Sequence, residues 1–207
     1  MIVAIDGPGG SGKSTVSRAV AAALGLAHLD TGAMYRAVTW AALRDGVSLD
    51  DGDKLTRLAE AMELEVGEQV VVDGEDVTAA IRSRPVTAAV SQVSAHPGVR
   101  RVMVERQRRW AATHHGGVVE GRDIASVVFP EADLKVYLTA SESERARRRA
   151  VQPGQPAGAE TAADLARRDA LDSGRRVSPL TVAEGAVVID TTGLAVDEVV
   201  HKVLALR

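Results

Sequence analysis

The sequence predicts a doubly wound α/β domain built around a phosphate-binding loop, and three observations carry that prediction. The apolar run Ile2-Val3-Ala4-Ile5 leads directly into Gly7-Pro8-Gly9-Gly10-Ser11-Gly12-Lys13-Ser14, which fulfils GxxxxGK[ST]. A helical pattern follows the loop, and this strand–loop–helix context gives the motif its chemistry. Further short apolar runs recur along the chain with helical patterns between most of them, as in open parallel sheets.

Taken in order, the runs 2–6, 27–30, 118–120, 134–139 and 186–190 read as buried parallel strands. Residues 14–24 place Val16, Val20 and Leu24 on one helical face and stop at Gly25. A second helix covers 33–44 and closes at Gly46, and Pro97 starts a long one carrying Val99, Val102, Met103 and Trp110. A last helix carries Val196, Val200, Val203 and Leu204. Two regions break the rhythm. Residues 64–77 read as small antiparallel strands turning at Asp73-Gly74, within a candidate insertion spanning 37–96. Residues 151–160, rich in proline, glycine and glutamine and bracketed by arginines, read as a mobile flap.

The chain has 207 residues, 45% apolar and 26% charged, as expected for a globular domain with a sizeable core. A net charge of −3 creates no field for nucleic acid or anionic membrane, and two Trp, two Tyr and one Phe leave little for base stacking. Cysteine is absent, no signal pattern precedes the first strand, and no apolar stretch reaches membrane-spanning length. The expectation is a cytoplasmic protein that binds neither nucleic acid nor membrane.

The loop is chemically explicit. Gly7, Pro8, Gly9, Gly10, Ser11, Gly12, Lys13, Ser14 and Thr15 would wrap a nucleoside triphosphate in backbone N–H groups at a helix N-terminus. Lys13 can reach the β- and γ-phosphates, and the Ser14 hydroxyl can join a Mg²⁺ shell. Three further constellations lie where strand ends and helix starts would line a ligand crevice. They are Asp30-Thr31-Gly32-Ala33-Met34-Tyr35-Arg36, then Glu120-Gly121-Arg122-Asp123, then Arg168, Asp172 and Arg175 at i, i+4 and i+7 of one predicted helix face. Arg145 and Arg149, one turn apart, bracket the flap from its other side. Each cluster alone reads equally as a helix start, a turn or a solvated ion pair; beside the loop, they read as arginines converging on phosphates.

Residues 7–15, 30–36, 74–77, 91–93, 97–100, 107–108, 121–123, 127–130, 145–149, 168–179 and 190–192 together resemble the bacterial cytidylate kinases, in order and spacing over nearly the whole chain. The resemblance implies a P-loop fold of five parallel strands with helices on both faces. It also implies an NMP-binding insertion with a small antiparallel sheet, and a short lid. The segments are then core (1–36), insertion (37–96), core (97–147), lid (148–164) and core (165–207). The implied reaction is ATP-dependent phosphorylation of CMP or dCMP with Mg²⁺, by a monomer. Thr31, Tyr35 and Arg36 would hold the CMP sugar–phosphate side; Ser91, Arg100 and Asp123 would read cytosine. Arg122 and Arg175 would grip its phosphate and Asp172 its ribose, with Arg145 and Arg149 as lid arginines near ATP. Thr31 stands where the family often has Ser, and Glu120 where Asp is frequent.

Such an acceptor needs no general base, because a phosphate monoester with a second pKa near ~6 is mostly dianionic at neutral pH. Catalysis then falls to Lys13, Mg²⁺ and the arginines, Arg149, Arg168 and Arg175 among them. His114-His115 reads as a solvated helix end rather than part of a catalytic pair. Competing readings fit less well. A GTPase would use a D-x-x-G element, but Asp190-Thr191-Thr192-Gly193 follows the last strand and no N-K-x-D occurs. A UMP or shikimate kinase lacks reason for the β-rich insertion and the Ser91, Arg100 and Asp123 set.

Overall fold

The structure, a computed structural model, describes residues 1–150, 162–175 and 177–207. Its strands in chain order are β1 (Ile2–Asp6), β2 (His28–Asp30), β3 (Leu64–Val66), β4 (Val70–Val72), β5 (Glu75–Asp76), β6 (Gly117–Gly121), β7 (Leu134–Thr139) and β8 (Val187–Asp190). The helices are α1 (Lys13–Leu24), α2 (Thr31–Arg44), α3 (Gly52–Ala61), α4 (Arg84–Val93), α5 (Pro97–Thr113), α6 (Glu142–Ala150), α7 (Ala162–Ser173) and α8 (Val196–Leu204).

β1 lies at the centre of a five-stranded parallel sheet ordered β2-β6-β1-β7-β8. Its position follows from its composition: Val3, Ala4 and Ile5 are fully buried, so both faces of the strand need cover. Val3 and Ile5 pack with Val118 and Val136 against Val16 and Val20 of α1 and Val199 and Val203 of α8. Ala4 and Val119 face the other way, into a larger core shared by α2, α3, α4 and α5. β3, β4 and β5 form a separate antiparallel sheet, with Asp73 and Gly74 at the predicted turn, and its buried Val70 and Val72 join that larger core.

Two expectations about elements change. The run 186–190 is a parallel strand but an edge one, with Val187 and Val188 half exposed instead of buried. The helix expected to carry Arg168, Asp172 and Arg175 ends at Ser173, so Arg175 lies beyond it. Gly174, a poor helix former, follows directly, and the chain folds back so that the Leu180 N–H bonds the Asp172 carbonyl at 3.0 Å. The predicted flap at 151–160 lies outside the described residues. His114 closes α5 with its exposed ring stacked on Trp110 at 4.3 Å. No helix of the described residues is long and apolar enough to cross a membrane.

Candidate active site

The loop between β1 and α1 sits at the carboxyl ends of the central strands. Its glycines answer to space as much as to dihedral angle. A Cβ on Gly7 would lie 2.0 Å from the Leu138 carbonyl oxygen, and one on Gly10, at φ +76°, 2.8 Å from that of Arg145. Gly12 is the N-cap residue of α1 and offers no side-chain cap, and the first turn carries no acid. The leading amides of the helix therefore face the crevice with a positive dipole end. Ser11 Oγ and Lys13 Nζ donate to the Pro8 carbonyl at 3.0 and 2.7 Å, folding the loop on itself. Burial and the nearby Arg122 push the Lys13 ammonium down to about 7.

A cavity of about 510 Å³ opens over the loop, lined by Gly9–Val16 and by arginines from several elements. Arg36 comes from α2, Arg82 from the turn before α4, Arg122 from the end of β6, Arg147, Arg148 and Arg149 from α6 and Arg168 from α7. Arg36 donates to the Ile81 carbonyl at 3.0 Å and to Thr87 Oγ1 at 2.8 Å. Burial, then Arg168 and Arg149, push it down to about 9. It stays charged at neutral pH, and the part of the shift that Arg168 and Arg149 contribute reflects the positive field of the cleft.

A second, smaller cavity of about 60 Å³ adjoins the first, lined by Thr31, Tyr35, Arg36, Ser91, Arg100, Arg122, Asp123, Arg168, Asp172 and Arg175 among others. Its side chains bond one another. Asp172 is buried and accepts from Ser91 Oγ and Arg122 Nε, each at 3.1 Å, and pairs with Arg175. Burial alone would raise the Asp172 carboxyl, but Arg122, Arg175 and Arg168 hold it below the ordinary range. Arg100 and Asp123 form a buried ion pair, with the guanidinium 5.4 Å over the Tyr35 ring. Thr31 Oγ1 donates to the Glu120 carbonyl at 2.6 Å. The Tyr35 phenol, pushed up to about 12 by burial, remains neutral.

Every candidate acceptor residue thus meets in one pocket, although the positions run from Thr31 to Arg175. On the donor side Gly9–Thr15 line the larger cavity, whereas Gly7 and Pro8 shape the loop from beneath. Arg145 packs against the loop. It is buried behind the loop, donating to the Gly9 carbonyl at 3.1 Å and pairing with Asp169, and it lines neither cavity. Arg149 does line the larger one.

The cytidylate kinase family profile matches residues 3–207. The chain belongs to that family. It is 49% identical over 213 residues to the cytidylate kinase of Rhodococcus opacus (strain B4), covering 99% of this chain and 93% of the relative. It is also 50% identical over 217 residues to the bifunctional pantoate ligase/cytidylate kinase of Synechococcus sp. (strain JA-3-3Ab), covering 99% of this chain. The chain spans 40% of the length of that relative. Shikimate kinase from Acinetobacter baumannii in complex with shikimate matches with a TM-score of 0.50 at 17% identity, covering 99% of this chain and 90% of that one. This likeness shows the shared fold.

Within this cytidylate kinase fold, three further residues brace the site, of which Asp6 lies outside every motif string and Arg108 and Asp169 inside segments that carried no stated role. Asp6 closes β1, and its buried carboxylate accepts from the Ile124 and Ala125 N–H groups at 2.9 and 2.8 Å. It thereby orients the wide helical turn Ile124–Val128 that follows Asp123, while Arg108 on α5 ties the Val127 and Val128 carbonyls at the other end. Burial pushes the Asp6 carboxyl up to about 6. Asp169 accepts from the Gly9 N–H at 3.1 Å, linking α7 to the loop. A charged residue at the end of an otherwise apolar strand was the one hint available for Asp6.

Proposed function

We propose that the chain transfers the γ-phosphate of ATP to CMP or dCMP, giving ADP and CDP or dCDP. One observation carries the reading: the two cavities share Gly32, Arg36, Gly121, Arg122 and Arg168. A phosphate-loop cleft and a small pocket of polar side chains meet at three guanidinium groups, where a transferring phosphoryl group and an acceptor phosphate would bring the most negative charge together. Arginine suits that junction because its planar fork binds phosphate bidentately. The family membership and the curated relatives named cytidylate kinase support the same acceptor.

In this reading the amides of Gly10–Lys13 hold the triphosphate and Lys13 turns from the Pro8 carbonyl to the β- and γ-oxygens. Arg36, Arg122 and Arg168 offset the repulsion between the two anions, with Arg149 and Arg175 at either flank. Catalysis is alignment and charge stabilisation, and no side chain removes a proton. Mg²⁺ fits the donor side by the chemistry of its oxygens, since Ser14 Oγ and the Glu120 carboxylate lie 2.9 Å apart and hard oxygen donors suit this ion. When bound there, the ion neutralises charge on the donor phosphates. Asp123 would accept from the exocyclic amine of cytosine and oppose the carbonyl of uracil. Residues 37–96, which include Ser91, would form the acceptor-binding insertion, and 148–164 the lid.

The test is a turnover panel with ATP and CMP, dCMP, UMP, AMP or shikimate, followed by ADP release. CMP and dCMP should dominate; equal turnover of UMP and CMP would overturn the role given to Asp123, and turnover of shikimate alone would overturn the proposal.

A further inference from the structure

His28 stands outside every motif and outside both cavity linings, yet it completes a chain of bonds that reaches Ser14 of the phosphate loop. On parallel strands β2 and β6, His28 pairs in register with Val118 and Asp30 with Glu120. Side chains two residues apart share a sheet face, so His28 and Glu120 lie on the face of Val118, which packs against Val16 and Val20 of α1. From α1, Ser14 and Ser17 are three residues apart and share a helix face. The two pairs meet between helix and sheet. Ser14 Oγ donates to Glu120 Oε2 at 2.9 Å, while Glu120 Oε1 lies 3.2 Å from His28 Nε2. Ser17 Oγ lies 3.0 Å from the same ring nitrogen.

The arrangement assigns the proton. A ring nitrogen facing a carboxylate oxygen must carry hydrogen, so Nε2–H donates to Glu120. Ser17 shares that hydrogen as a second acceptor and directs its own hydroxyl hydrogen to the Ser14 carbonyl at 3.4 Å. Glu120 is buried, and its side chain has one more rotatable bond than aspartate. Without a second anchor it could rotate away from Ser14. The imidazole supplies that anchor, leaving one carboxylate oxygen for the hydroxyl on the phosphate loop.

We propose that His28 is the positioning residue for the Ser14–Glu120 oxygen pair, and thereby sets the affinity of the donor site for its divalent ion. This rests on the reading of the cleft as a metal–nucleotide site. The role belongs to orientation: an outer partner fixes the direction of an inner oxygen donor, and losing such partners elsewhere costs about 10–100-fold in metal affinity.

The experiment uses the full chain with His28→Phe, which keeps a planar ring and removes the N–H, and His28→Gln, which restores an amide donor. Ser17→Ala serves as a control because it leaves the bond to Glu120. Mn²⁺ binding to the protein–ADP complex is followed by electron paramagnetic resonance, and ADP binding without metal by calorimetry. His28→Phe should weaken Mn²⁺ binding about tenfold or more and leave metal-free ADP binding unchanged; His28→Gln should recover most of the loss, and Ser17→Ala should match wild type. Unchanged Mn²⁺ affinity in His28→Phe overturns the proposal, as does an equal loss of metal-free ADP binding. If His28→Phe does not fold, as judged by circular dichroism, wild-type-like Mn²⁺ affinity in His28→Gln supports the proposal, and a loss matching that of His28→Ala overturns it. Failure of the wild-type ADP complex to retain Mn²⁺ would instead overturn the underlying reading of the cleft, even if wild-type CMP turnover were intact.

Discussion

The two halves of the cleft, the proposed donor and acceptor sites, are built from different materials. The core of the donor half is backbone: amides of a glycine loop and a helix N-terminus, held by close approaches to Leu138 and Arg145 that admit no side chain, with arginines from other elements ranged around it. It encloses about 510 Å³. The acceptor half is almost entirely side chain, and its two carboxylates are engaged in the pairs Arg100–Asp123, Arg122–Asp172 and Arg175–Asp172 around about 60 Å³. A backbone site is ready as soon as the chain folds, and it recognises phosphate without reading a base. A side-chain site must exchange existing ion pairs for contacts with its ligand, so it is selective: a ligand that cannot replace each bond leaves a buried charge unmatched.

That contrast can be broken most severely at Lys13, the one charged side chain of the loop itself. Lys13→Ala should lower kcat for CMP on the order of 10³-fold at saturating substrates. A fall confined to the KM for ATP would show that the ammonium only binds. The acceptor half should fail differently. Asp123→Asn should shrink the kcat/KM preference for CMP over UMP by about 10²-fold, because a site loses discrimination with its hydrogen-bond acceptor. The same change strips the partner from buried Arg100, so thermal unfolding should shift downward by more than for a surface substitution. An unchanged CMP/UMP ratio would transfer base reading away from Asp123.

The gentlest probe is pH. Lys13 is held at about 7, against an ordinary 10.5, by burial and Arg122. A polyphosphate beside it restores the charged form, so between those values ATP binding should take up a proton and weaken as pH rises. Calorimetry in buffers of different ionisation enthalpy reads this uptake directly, and Lys13→Met should abolish it. For folding the sign is the reverse: a depressed lysine favours the folded state at high pH, and that contribution disappears as pH falls through about 7.

The two halves also differed in how legible they were. The loop is local, and spacing within Gly7–Ser14 suffices to predict it. The acceptor pocket draws on Thr31, Ser91, Arg100, Asp123 and Asp172, which no local pattern joins; family resemblance linked them, and the fold gathers them. Arg145, which the resemblance implied as a lid arginine near ATP, shows what only the fold supplies: its guanidinium bonds the Gly9 carbonyl of the loop and pairs with Asp169. Asp6 and His28 lay in strands read only for their apolar character.

By itself the sequence determined the elements and the donor chemistry: periodicity, helix stops and a contiguous loop act over a few residues, where the chain's own geometry decides. Strand order, the edge position of β8, the exit of Arg175 from α7 and the bond from His28 to Glu120 belonged to the tertiary structure. Each depends on which faces pack together. That is settled by burying two apolar cores on opposite sides of one sheet, a condition no single segment contains.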